Sequence, residues 1–77
     1  MVSRKIFLNT VEEVKAFVDI ITPCPYEIDL ISGRFLVDAK SMLGIFSLDI
    51  SKPVRMDIHT DSCDALLEQL KPYLVEE

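Results

Sequence analysis

Asp38-Ala39-Lys40-Ser41-Met42-Leu43-Gly44-Ile45-Phe46-Ser47-Leu48-Asp49 is the stretch on whose reading the fold turns. From Met42 to Leu48, five of seven residues are large and apolar. Read as a helix, this segment is about two turns long. Ile45 and Leu48 then share one side, Met42 and Phe46 share another, and Leu43 sits between them. A short surface helix needs only one apolar stripe to reach its core. A chain of 77 residues is too small to enclose a helix that is apolar around most of its girth. Some of these side chains are therefore expected at the surface, where something else can dock.

The flanking segments set this helix among strands. Upstream, Tyr26-Glu27-Ile28-Asp29-Leu30 alternates apolar and polar residues, Ser32-Gly33 signals a turn, and Arg34-Phe35-Leu36-Val37 reads as the return strand of a hairpin. Downstream, Lys52-Pro53 ends the helix and leads into a further alternating run, Val54 to His59. At the start, Ser3 to Leu8 reads as a strand. Thr10-Val11-Glu12-Glu13 is a capping-box pattern, and Val14, Phe17, Val18 and Ile21 follow at helical spacing. The spacing predicts a helix over Val11–Ile21, stopped by Pro23 and Pro25. Near the end, Thr60, Asp61 and Ser62 offer caps for a last helix. Its inward stripe is Ala65, Leu66, Leu70, Tyr73 and Leu74, and Pro72 should kink the helix or end its regular part near Leu70. The order is β-α-β-β-α-β-α. Alternating strands need one covered and one wet face, so the fold class is α+β, a four-stranded antiparallel sheet with three helices on one face.

Composition narrows the function. Eight basic residues against 13 acidic ones give a net charge of −5, which leaves no cationic footprint for nucleic acid and opposes anionic membrane surfaces. No apolar run approaches the ~20 residues that span a bilayer, and polar residues from Asn9 onward deny a signal peptide its apolar core. One cytoplasmic domain over residues 1–77 is the expectation. Cys24 and Cys63 form no C-x-x-C pair, and one histidine with two separated thiols cannot complete a tetrahedral metal site. Asp38, Asp49 and Asp57 lie in different elements and read as solvated charges, as do Arg34 and Arg55. No motif for a cofactor, a phosphate loop or a catalytic nucleophile is present. Gly44, unfavourable inside a helix by up to ~1 kcal/mol relative to Ala, points to close approach of another backbone.

The run Lys40-Ser41-Met42-Leu43-Gly44-Ile45-Phe46-Ser47-Leu48, with the element order and the length, resembles the HPr family, the small phosphocarriers of the bacterial phosphoenolpyruvate–sugar phosphotransferase system. The family's regulatory-serine motif has Lys-Ser, two apolar residues, glycine, two more apolar residues and Ser-Leu, and all nine positions fit. The resemblance implies an HPr-like open-faced sandwich. It also implies Ser41 as a site of phosphorylation by an HPr kinase-like enzyme, Lys40 as a stabiliser of the phosphate, and Met42, Leu43 and Phe46 as the docking surface. The partners it implies are that kinase, enzyme I or a transcription regulator. Ser41 is equally suited to a plain N-cap, and the two roles are compatible. Ser47 reads as a solvated helix residue.

Two departures stand out. Five residues, not the family's usual four, separate Gly33-Arg34 from Lys40-Ser41. The family's phosphoacceptor histidine, set as Gly-x-His-x-Arg-Pro ahead of the first helix, has no counterpart in Leu8-Asn9-Thr10-Val11-Glu12. The one histidine, His59, is expected on the solvated sheet face with Arg55 and Asp57. A regulatory interaction protein without catalysis is therefore the favoured reading. The alternatives are a phosphocarrier with an atypical acceptor and a ferredoxin-like small-ligand-binding module. Strand order separates the last of these: an HPr-like sheet interleaves the fourth strand between the first and second, whereas a ferredoxin-like sheet has the first and third strands adjacent and central.

Overall fold

A computed structural model describes residues 1–75. The chain runs β1 (Val2–Ile6), α1 (Val11–Ile21), β2 (Ile28–Ser32), β3 (Phe35–Asp38), α2 (Met42–Phe46), β4 (Val54–Ile58), α3 (Asp64–Leu70) and a single 3-10 turn, Lys71–Tyr73. The sheet order is β1-β4-β2-β3, with every neighbouring pair antiparallel. This is the order expected from the HPr resemblance. It rejects the ferredoxin-like alternative, because β1 and β3 lie at opposite edges.

The first helix occupies the predicted span. Thr10 Oγ1 accepts from the Glu13 N–H at 3.1 Å, and the Glu13 carboxylate accepts from the Asn9 N–H at 2.9 Å. Thr10 thereby satisfies one free donor of the first turn, while Glu13 reaches back past the cap to the N–H of the residue before it. Val14, Phe17, Val18 and Ile21 are buried along one stripe. They meet Ile28 and Leu30 from β2, Met56 and Ile58 from β4, Ile45 from α2, and Leu66 and Leu70 from α3. The three helices thus cover one sheet face, and among the described residues no element covers the other.

Strand limits differ from the sequence reading. β1 stops at Ile6 and β2 starts at Ile28. Phe7 instead bonds to the Tyr73 carbonyl, and its neighbour Ile6 bridges to Leu74. The hairpin closes through Gly33-Arg34, between the paired Ser32 and Phe35. Gly33 has φ +59°, and among the described residues no non-glycine residue has positive φ, the pattern of a type II′ turn with glycine first. Of the two outcomes expected from Pro72, a kink or an end, the structure shows the end, α3 stopping at Leu70. The caps expected for α3 do not form. Its N-cap is Cys63, without a side-chain bond, while the Thr60 hydroxyl is turned onto Ser62.

Candidate docking and modification site

Three residues lead from β3 into α2. Ala39 is fully buried, and its N–H donates to the Ile28 carbonyl at 2.9 Å. Asp38 then turns the chain. Its carboxylate accepts from the Lys40 N–H at 2.9 Å and its carbonyl from the Ser41 N–H at 2.9 Å. Ser41 is exposed and caps the helix, its hydroxyl accepting from the Gly44 N–H at 3.2 Å. At the far end, the Ser47 hydroxyl donates to the Gly44 carbonyl at 2.6 Å. Ser51 then holds Asp49 through its hydroxyl and its N–H, which keeps that carboxyl below the usual carboxylate range.

Ile45 and Leu48 are buried, so one side of α2 is anchored. Leu43 is 86% exposed and Phe46 41% exposed, whereas Met42 is half-buried against the core. Gly44 fits tightly. A Cβ there would lie 3.2 Å from the Cβ of Val37. The close neighbour is thus a β3 side chain, where the sequence suggested another backbone.

Lys40 is engaged elsewhere. Its ammonium donates to the carbonyls of Cys24 at 2.7 Å and Tyr26 at 3.1 Å. The lysine therefore ties the entry of α2 to the segment joining α1 and β2. Nearby, burial first and Cys24 second push the Tyr26 hydroxyl above its ordinary pKa. Burial, with Asp64 adding to it, pushes the Cys63 thiol up. Both cysteines are free. Among the described residues, no three His, Cys, Asp or Glu side chains gather in a way that holds a metal ion.

Register brings together charges that looked scattered in the sequence. Ser3 pairs with Asp57, Asp57 with Asp29, and Asp29 with Asp38, a row across all four strands. Like charges directly opposite each other are unfavourable, so each carboxylate needs a partner. Asp57 receives two bonds from Arg55, at 3.0 and 2.9 Å, and one from the Ser3 hydroxyl at 2.7 Å. Asp57 is only 6% exposed, which corrects its reading as a solvated charge. The same contacts correct Arg55, a partner rather than a scattered charge. The Arg55 guanidinium holds the Asp57 carboxyl below the usual range, against the opposing effect of burial and with help from Ser3. His59 follows β4, and its Nε2 lies 2.8 Å from the Asp29 carboxylate. Alternation could place these side chains on one face, but only register could pair them.

At the start of α1, where the HPr resemblance would place an acceptor histidine, the capping Thr10 and Glu13 occupy the helix end. A carboxylate there opposes a phosphoryl group. Among the described residues no helix is long and apolar enough to cross a membrane.

No protein-family model matches the sequence, and no curated protein matches it. Solved structures do match. A crystal structure of HPr-C-His from Thermoanaerobacter tengcongensis aligns with a TM-score of 0.76 at 22% sequence identity, over 94% of this chain and 89% of that chain. With the β1-β4-β2-β3 sheet and helices on one side, the chain has the HPr-like fold.

Proposed function

We propose that this chain is an HPr-like, non-catalytic regulatory protein of the phosphotransferase system that works in the cytoplasm by docking protein partners through α2. The single observation that carries the docking half is Leu43, 86% exposed on a helix whose opposite side is anchored by Ile45. A large side chain held out on a packed helix costs the fold nothing when removed and offers a partner a fixed apolar knob. Phe46 extends the surface, and half-buried Met42 borders it.

Ser41 supplies the regulatory half. Its hydroxyl is exposed beside that surface. A phosphate there adds about −1.5 to −2 charges at neutral pH, which disfavours an apolar partner and favours one with an arginine cluster. Lys40 stabilises the phosphate only by leaving the carbonyls of Cys24 and Tyr26, so modification also loosens the tie between α2 and the preceding segment. The partners of this reading are an HPr kinase-like enzyme and a regulator or enzyme I.

Incubation with ATP and an HPr kinase tests it. A single added phosphate located on Ser41 by mass spectrometry, absent in Ser41→Ala, is expected. An unmodified chain beside a labelled control HPr would remove the regulatory half.

Phosphocarriage through His59 is the second reading, favoured by the Asp29 carboxylate that orients its ring. The aspartate row around that ring opposes a phosphoryl anion and places this reading second. Incubation with phosphoenolpyruvate and enzyme I decides it, by the presence or absence of an acid-labile phosphate on His59.

A further inference from the structure

We propose that β3 is a self-pairing edge, through which two copies of this chain join antiparallel, Leu36 opposite Leu36, into one continuous eight-stranded sheet. The two edges of the sheet are not alike. Beside β1, Leu74 bridges to Ile6, the Val75 N–H donates to the Lys5 carbonyl at 2.9 Å, and the Phe7 N–H donates to the Tyr73 carbonyl at 2.9 Å. That edge is partly covered by the chain's own last described residues. β3 pairs with β2 alone among the described strands. Natural edges are commonly blunted by shortness, charged side chains, proline, a bulge or a covering segment. β3 is short, at four residues, and carries one charge, Asp38, but it contains neither proline nor lysine, and its register with β2 is unbroken.

Geometry says which backbone groups are available. The Ala39 N–H donates to the Ile28 carbonyl, so Ala39 belongs to a hydrogen-bonded pair. Such pairs alternate along an antiparallel ladder. Val37 and Phe35 therefore also bond toward β2, while Leu36 and Asp38 direct their N–H groups away from it. A second strand centred on Leu36 receives these donors in register.

The side chains fit the same register. Antiparallel pairing about Leu36 sets Arg34 of one copy opposite Asp38 of the other, twice, and Phe35 opposite Val37. Opposite charges at both ends and apolar residues between them make the edge complementary to itself. Leu36 is 64% exposed and Phe35 65% exposed, and the pairing covers both. Four residues make an interface well below the ~800 Å² per partner of a standard complex. The association is accordingly weak, with half-dimerisation expected on the order of 0.1–1 mM, since small interfaces bind weakly.

Sedimentation from micromolar to millimolar concentration tests the proposal, with amide exchange followed by NMR at both ends of the range. The weight-average mass should rise from 8.8 kDa toward twice that value. The Leu36 and Asp38 amides should slow with concentration, while those of Phe35 and Val37 stay unchanged. Leu36→Lys, at an exposed position, should keep the thermal midpoint and weaken dimerisation at least tenfold, and Arg34→Asp should weaken it in the same direction. Leu43→Ser on α2 should leave it unchanged. A chain that stays monomeric at millimolar concentration overturns the proposal. So does a dimer in which the Leu36 and Asp38 amides still exchange freely, or one that Leu43→Ser abolishes.

Discussion

Leu43 and Gly44 are adjacent in sequence and have opposite physical situations. Leu43 stands in solvent, whereas a Cβ on Gly44 would press on Val37. Leu43→Ala should therefore change stability by no more than about 0.5 kcal/mol, while weakening partner capture in a pull-down with the candidate regulator. Gly44→Val should cost about 1–3 kcal/mol in chemical denaturation, because its branched methyls must push α2 away from β3. A stable Gly44→Val protein would mean that α2 rides loosely on the sheet. The apolar excess of Met42 to Leu48 made exposure of part of this helix readable. Which of the three candidate residues turned halfway inward was not readable, since Met42 is covered by contacts outside its own helix.

At the scale of elements, α1 is the one whose limits were legible without coordinates. Its start is written in Thr10 and Glu13 and its stop in Pro23, all within a few residues of the helix they bound. Thr10→Ala removes the hydroxyl that accepts from Glu13 and should cost about 1 kcal/mol, read as a lower thermal midpoint. α3 behaved differently. Three polar residues ahead of it are competent caps, yet Thr60 bonds to Ser62 and Cys63 takes the cap position. Capping chemistry shows that a helix begins nearby; the path of the incoming strand β4 sets the residue at which it begins. The β2 start was missed for a related reason. Tyr26 and Glu27 continue the alternation, but Ile28 is the first residue with both a β4 partner and a place in the core.

Over the whole molecule, the wet face of the sheet carries a polar row across all four strands, Ser3 on β1 and an aspartate on each of the other three. Asp57 has a lowered carboxyl pKa in the folded chain, so below neutral pH the unfolded chain takes up protons first. Its contribution to stability is complete at neutral pH and is lost as the pH falls through about 4 and below. Denaturation midpoints measured from pH 7 to pH 3 should fall more steeply for the parent chain than for Asp57→Asn, whose amide cannot ionise. Equal slopes would show that Arg55 and Ser3 leave the carboxyl unperturbed.

The amino-acid sequence by itself determined the order of elements, the buried stripe of α1, the turn at Gly33 and the absence of a histidine ahead of α1. Each is a local property, carried by spacing or by residue type within a single turn or strand. The tertiary structure alone decided the pairing of Ser3 with Asp57, 54 residues apart, and of His59 with Asp29, 30 apart. It also decided the seating of Lys40 on the Cys24 and Tyr26 carbonyls and the difference between the two sheet edges. These depend on which strands become neighbours and in what register, and that choice is settled by the burial of one shared core rather than by any single segment.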